Sequence, residues 1–179
     1  MENNNKLIFR KATTCDIEAV ACIYERVHDA EAAGITMTCW LRGVYPVKST
    51  AEAACDRGDL YVCEENGAIV ATAIINQLQV DVYEGANWSY EAANDEVLVL
   101  HTLAVDPQYH KKGIGAAFVR YYEDLAREMN CPVLRMDTNA KNCIARKFYP
   151  SLGYREADIV PTVFNGIPGV DLVLLEKKL

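Results

Sequence analysis

The run Leu103-Ala-Val-Asp-Pro-Gln-Tyr-His-Lys-Lys-Gly-Ile-Gly-Ala-Ala-Phe118 constrains this chain more than any other stretch. It reads as a β-strand stopped by a proline, then a glycine-bearing turn, then an immediate helix start. Glycines at 113 and 115 let a ligand approach the backbone closely, and the first helical turn offers unpaired N–H groups reinforced by the helix dipole. The expected occupant is a phosphate-bearing cofactor held along His110, Lys111, Lys112, Gly113, Ile114, Gly115 and Ala116. Phe118 stands where a dinucleotide fingerprint needs its third glycine, and no Gly-Lys-Ser/Thr follows, so neither that fingerprint nor a nucleotide P-loop fits. An ordinary tight turn stays open on these residues alone.

At 179 residues, with 51% hydrophobic positions, the chain suits one domain with a sizeable core, residues 1–179. A formal charge of −7 argues against nucleic acid or an anionic membrane as partner, since both need a basic surface. The seven cysteines are odd in number, scattered and without a Cys-x-x-Cys pair, which indicates neither a disulfide framework nor a metal site. The start, Met1 to Lys6, lacks an apolar signal core, and no stretch approaches a membrane span; a cytoplasmic location is the default expectation.

Along the chain, strands and helices alternate. Lys6 to Lys11 reads as a strand, and Thr13-x-x-Asp16 as a capping box before Ile17, Val20, Ile23, Tyr24 and Val27 at helical spacing, ending near Gly34. Ser49-x-x-Glu52 opens a second helix that stops at Arg57-Gly58. Leu60 to Glu64 and Ala68 to Ile75 flank Asn66-Gly67 as a hairpin. After an irregular stretch from Gln77 to Asn94, Val97 to Val105 is apolar on both faces and reads as a central strand. A helix with Phe118, Tyr121, Leu125 and Met129 follows, then a strand at Val133 to Thr138 and a helix with Ile144, Phe148 and Leu152 on one face. Tyr154 to Ala157 and Val170 to Leu175 supply late strands joined through Asn165-Gly166. The fold class is α+β, helices packed on a mixed sheet.

His110-Lys-Lys-Gly-Ile-Gly115 resembles the pyrophosphate loop of the GCN5-related N-acetyltransferase (GNAT) family, Gln/Arg-x-x-Gly-x-Gly/Ala, with histidine replacing its first residue. Asn142-x-x-Ala145-x-x-x-Tyr149-x-x-x-Gly153-Tyr154 resembles the family's second signature, one helix and one strand downstream. The resemblance implies acetyl transfer from acetyl-coenzyme A to a primary amine by direct attack, with no metal. It places the pantetheine arm between two splayed strands, Val97 to Val105 and Val133 to Thr138. Backbone groups of Leu103, Ala104 and Val105 would pair with the arm as an added strand would, and a nearby N–H would stabilise the oxyanion.

Tyr149, at the matching motif position, would give its phenolic proton to the leaving thiolate; alone it would read as core packing. His101, in a His-x-Leu-Ala-Val context similar to the arylalkylamine acetyltransferases, is either a base for the ammonium substrate or a buried structural histidine. Lys112 is favoured over Lys111, Arg146 and Lys147 as a phosphate partner. Asn142 would bond the pantetheine arm or cap its helix.

The acceptor segments are Trp40 to Pro46 and Gln77 to Asn94. Trp40, Tyr45, Tyr83 and Trp88 would line a pocket or pin these segments to the core. Asp81, Glu84, Glu91, Asp95 and Glu96 suggest a small cationic amine held near residues 81–96. A protein or peptide N-acetyltransferase and a non-catalytic acyl-coenzyme A sensor are the alternatives, and a homodimer is left open.

Overall fold

The computed structural model describes residues 6–110 and 112–179. The first five residues and Lys111, one of the cradle lysines named above, lie outside the described residues. Seven strands form one sheet: β1 (Leu7–Lys11), β2 (Leu60–Glu65), β3 (Ala68–Asn76), β4 (Val97–Val105), β5 (Val133–Asn139), β6 (Arg155–Phe164) and β7 (Ile167–Lys178). Their spatial order is β1-β2-β3-β4-β5-β7-β6. Each neighbouring pair is antiparallel except β4 and β5, which run parallel. The helices are α1 (Ile17–Ala32), α2 (Lys48–Arg57), α3 (Ile114–Glu128) and α4 (Cys143–Ser151).

Strand alternation divides the core between the two faces of the sheet. Leu60, Val62 and Ile74 pack with Val20, Ile23, Tyr24 and Val27 of α1 and Ala51 and Ala54 of α2. The intervening Tyr61, Cys63, Ala73 and Ile75 pack on the opposite face with Phe118, Val119 and Tyr122 of α3 and Tyr149 of α4. Both hairpins turn through Asn-Gly pairs: Asn66 and Gly67 have φ of 53° and 81°, Asn165 and Gly166 have φ of 47° and 82°. Positive φ at both turn positions matches the twist of the flanking strands.

Three local expectations are corrected. The second helix begins at Lys48, capped from Val47, whose N–H donates to Thr50 Oγ1 at 3.1 Å, so Ser49 sits inside the first turn. In α3 the buried stripe is Ile114, Phe118, Val119, Tyr122 and Ala126; Tyr121 and Leu125 lie at its margin and Met129 is exposed. The sheet selects this stripe through Tyr122, whose hydroxyl donates to Leu98 O at 2.6 Å between the parallel strands. In α4, Tyr149 is the buried residue and Ile144 is exposed.

The polar stretch 77–96 crosses the sheet without joining it. Buried Glu176 of β7 accepts from the N–H groups of Ser89 at 2.8 Å and Tyr90 at 3.3 Å, and Arg135 of β5 donates to Gln79 Oε1 at 2.5 Å and Tyr90 O at 3.1 Å. Among the described residues no helix is long and apolar enough to cross a membrane.

Candidate functional site

The parallel pair β4 and β5 stays in register only from Val97↔Val133 to Leu100↔Met136. Beyond that point β4 remains paired with β3, and Asp137, Thr138 and Asn139 remain paired with β7. The facing edges of 101–105 and 137–139 therefore have no strand partner in the ladder. A β-bulge drives them apart: between Ile74↔His101 and Thr72↔Ala104, β4 carries one residue more than β3. Thr102 takes a φ of 50°, a left-handed conformation costly for a β-branched residue, and its Oγ1 is hydrogen-bonded to the Tyr45 hydroxyl.

A cavity of about 620 Å³ opens at this wedge, lined by Leu100 to Leu103 of β4, Asp137 to Asn139 of β5, and Asn142 and Tyr149 of the α4 segment. Leu103 therefore borders it, whereas Ala104 and Val105 lie farther along β4. Ala104 is buried against α1, and the alternation of the strand puts Val105 against the α3 face.

Tyr149 is almost wholly buried, yet its hydroxyl has no hydrogen-bond partner among the described residues. Burial, assisted by the charge of Asp137, pushes the phenol well above its ordinary pKa, so it stays protonated at neutral pH. Asp137 also borders the cavity and accepts a hydrogen bond from Tyr83 Oη at 2.8 Å. Burial lifts its carboxyl to about 6, opposed by that hydrogen bond. Sequence reading missed Asp137. The available signal was a carboxylate within a predicted strand, Val-Leu-Arg-Met-Asp-Thr, directly beside the second motif's helix.

His101 borders the same cavity, and its tautomer follows from its neighbours. Leu78 N–H donates to Asn76 Oδ1 at 2.9 Å, and Asn76 Nδ2 donates to Asp59 Oδ2 at 2.8 Å, which orients the amide. His101 Nε2 then faces two acceptors, Asn76 Oδ1 and Leu78 O, each at 3.1 Å, and must carry the hydrogen. Nδ1 keeps its lone pair. Burial lowers the imidazole pKa, so the ring is neutral at pH 7.

The cradle lies beyond the cavity, at the outer end of β4. Gly113 caps α3 with a φ of 76°. The first bond of the helix runs from Ala117 N–H to Gly113 O, leaving the N–H groups from Gly113 to Ala116 without partners among the described residues. A Cβ added at Gly115 would lie 3.5 Å from Phe148 Cζ and 3.8 Å from Val105 Cγ2, so this position faces the gap between β4 and α4. Free strand edges leading to orphan helix N–H groups fit an extended arm ending in phosphates, the shape of acetyl-coenzyme A.

The remaining predicted residues divide. His110 is exposed at the turn before the cradle. Lys112 Nζ lies 3.8 Å from Glu65 Oε2 and 4.6 Å from the Tyr109 ring centroid, a loose tether that leaves half its side chain exposed. Asn142 caps α4, accepting from Ala145 N–H at 3.0 Å through Oδ1; Nδ2 is left over and the residue borders the cavity. Arg146 is committed to Glu156 through two hydrogen bonds of 2.8 Å.

Of the expected acceptor segment Gln77 to Asn94, Leu78, Gln79 and Val80 border the cavity, and the carboxylate cluster is corrected. None of Asp81, Glu84, Glu91, Asp95 and Glu96 borders the cavity. Tyr83 and Trp88 pack on each other at 5.2 Å, with the Arg135 guanidinium 4.2 Å above the indole, and hold residues 77–96 to the sheet. Those aromatics serve the core, so the carboxylates of the loop face outward. Trp40 and Tyr45 do line the cavity, joined by Phe164 from the β6–β7 hairpin.

A family model described as the acetyltransferase (GNAT) family matches residues 27–154. This chain belongs to that family. An uncharacterized N-acetyltransferase of Methanocaldococcus jannaschii is 27% identical over 105 residues, 59% of this chain and 42% of the relative. The [Ribosomal protein bS18]-alanine N-acetyltransferase of Escherichia coli is 35% identical over 60 residues, 34% of this chain and 40% of its own. The matched stretch thus spans less than half the length of these curated relatives. Among solved structures, a GNAT-family acetyltransferase from Streptococcus agalactiae superposes with a TM-score of 0.79 at 22% identity, covering 98% of this chain and 99% of that one. A Salmonella typhimurium protein solved with its cofactor acetyl-CoA gives a TM-score of 0.65 at 21% identity, covering 98% and 95%. Both likenesses confirm the α+β fold around a mixed sheet.

Proposed function

We propose that the chain, as one domain over residues 1–179, is an acetyl-CoA-dependent N-acetyltransferase acting on a primary amine. The observation that carries this reading is the Tyr149 phenol, protonated, unpartnered and bordering the cavity at the open end of the β4–β5 wedge. Acetyl-CoA supplies the activated thioester when bound. The free edges of Leu103 to Val105 and 137–139 bind and align its arm, and the N–H groups of Gly113 to Ala116, with Lys112 nearby, bind its phosphates. Asn142 Nδ2 donates to the arm while Oδ1 holds the helix. Asp137 draws the substrate ammonium into the cavity and, ionised in most molecules above pH 6, accepts its proton; His101 Nδ1 is the second acceptor. Tyr149 Oη protonates the departing thiolate.

The acceptor's ammonium makes it cationic at that end, and the carboxylate it meets is Asp137 rather than the 81–96 segment. A peptide N-terminus is the second reading, supported by the ribosomal-protein relative and by exposed Met37, Leu41 and Val44 flanking the cavity-lining residues 38–40 and 45. A non-catalytic sensor would have no use for an unpartnered phenol here. The test is thiol release from acetyl-CoA across a panel of amines and short peptides, with the acetylated product identified by mass. No product from any acceptor, at concentrations where acetyl-CoA binds, would sink the enzyme reading in favour of the sensor.

A further inference from the structure

The wall of the cavity opposite Asp137 carries a guanidinium that the transfer chemistry does not use. One face of α2 borders the cavity through Thr50, Ala53 and Arg57. Arg57 is clamped along one edge: Nε donates to Asp59 Oδ2 at 2.9 Å and Nη2 to Asp59 Oδ1 at 3.2 Å. Asp59 is buried and held in turn by Asn76 Nδ2 at 2.8 Å, so the pair is fixed in orientation. The guanidinium fork has five donors, and two are spent on Asp59. Nη1 has no partner among the described residues, and 46% of the side chain remains exposed.

Arg57, at the end of α2, is tied to β3 through Asp59 and Asn76, whereas Asp137 stands on β5. The two strands are separated by β4, so the charged groups border the cavity from different sides of the wedge. The bulge at Thr102 sits between them, where the wedge opens. The cavity therefore presents a proton-accepting carboxylate at the reacting end and a pre-oriented cationic fork at the other. A free amine with an uncharged tail would leave that fork facing only water.

We propose that the acceptor is a zwitterionic small amine, whose ammonium meets Asp137 and whose carboxylate, several bonds away, is bound by the free edge of Arg57. This rests on the acetyltransferase reading for which end of the acceptor reacts. A charge-assisted hydrogen bond from a pre-organised arginine discriminates by geometry as well as charge, and lysine replaces it poorly. Its contribution corresponds to a preference of about ten- to a hundredfold.

The experiment compares 4-aminobutyrate, 5-aminovalerate and 6-aminohexanoate with the matched alkylamines lacking the carboxylate. Wild type, R57Q and R57K are each measured for kcat/KM and, separately, for binding by calorimetry. Wild type is expected to favour at least one amino acid over its matched amine by tenfold or more. R57Q should bring that ratio close to one, mainly through KM, and R57K should keep part of it. Because the ratio is taken within each variant, a general loss of activity or fold does not mimic the result. Wild type showing no carboxylate preference in turnover or binding overturns the proposal, as does a preference that R57Q leaves intact. If the amino acids bind in an Arg57-dependent way and none is acetylated, the transfer reading fails and the anion subsite stands.

Discussion

Tyr83 and Asp137, 54 residues apart in sequence, meet where the cavity floor reaches the core: the phenol donates to Oδ2 of the carboxylate at 2.8 Å. The contact ties the 77–96 segment to β5 and leaves the rest of the carboxyl facing the cavity. It also opposes the burial that raises the carboxyl, bringing its titration to about 6, near the range in which a general base works best.

Two groups can own the acidic limb of the rate profile. The expected result is that D137N removes the limb near pH 6 in kcat/KM and lowers the plateau by about a hundredfold or more. H101Q should leave that limb in place and lower the rate less. If the limb persists in D137N and disappears in H101Q, the imidazole is the base.

Burying Asp137 destabilises the fold. Its pKa is about 6 when folded, against about 3.9 for an unfolded aspartate. The folded state thus binds the extra proton between those values, so this group's contribution to stability is fullest below about pH 4 and is lost as pH rises through about 6. D137N should therefore be more stable than wild type at pH 7.5, by about 1–3 kcal/mol, with the difference closing by pH 4. Urea titrations at both pH values provide the check. Equal stability at pH 7.5 would mean the carboxyl is solvated after all.

Y149F keeps the ring's packing and deletes only the hydroxyl. The structure places no hydrogen bond on that hydroxyl, so folding stability should change little, while kcat should fall by about ten- to ten-thousandfold with cofactor affinity nearly intact. Single-turnover rates give the decisive measurement, because they report the chemical step; an unaltered rate would reduce Tyr149 to packing.

Gly115→Val tests the route from cradle to wedge. A Cβ there makes ordinary contacts with Phe148 and Val105, and the added methyls fill the gap beside them. Acetyl-CoA binding should weaken at least tenfold by calorimetry with an unchanged circular dichroism spectrum. Undiminished affinity in the folded variant would move the cofactor elsewhere.

Asp16 holds the start of the first helix by accepting from Thr13 N–H at 2.8 Å, and Arg10 Nη1 at 2.8 Å depresses its pKa to about 2. That stabilisation is present above the unfolded pKa and lost as pH falls through about 2. Asp16→Ala should cost about 1–2 kcal/mol at pH 7, and the gap to wild type should narrow between pH 4 and pH 2. Denaturant midpoints across that range would show it.

Local sequence determined the elements whose causes are local. Val97 to Val105 is apolar on both faces and became the central strand, Asn-Gly pairs at 66–67 and 165–166 set both hairpins, and Thr13-x-x-Asp16 capped the 3₁₀ turn that runs into the first helix. The two glycine- and asparagine-bearing motifs were legible for the same reason: backbone φ, capping and close approach are properties of neighbours in the chain. Periodicity was less reliable where several phases fit. In α3 both Tyr121 and Tyr122 are aromatic, and only the sheet, through Leu98 O, selected Tyr122 for the core.

The cavity belongs to tertiary structure alone. The 81–96 carboxylates looked like a binding patch because they cluster in sequence, but Tyr83, Trp88, Arg135 and Glu176 fasten that segment away from the cavity. Asp137 was invisible as a functional group because its pKa depends on burial beneath a phenol 54 residues away. The same holds for the His101 tautomer, fixed through Asn76 and Asp59, and for the free edge of Arg57. Sequence spacing encodes backbone conformation within a few residues; desolvation and charge are sums over everything that folding brings near.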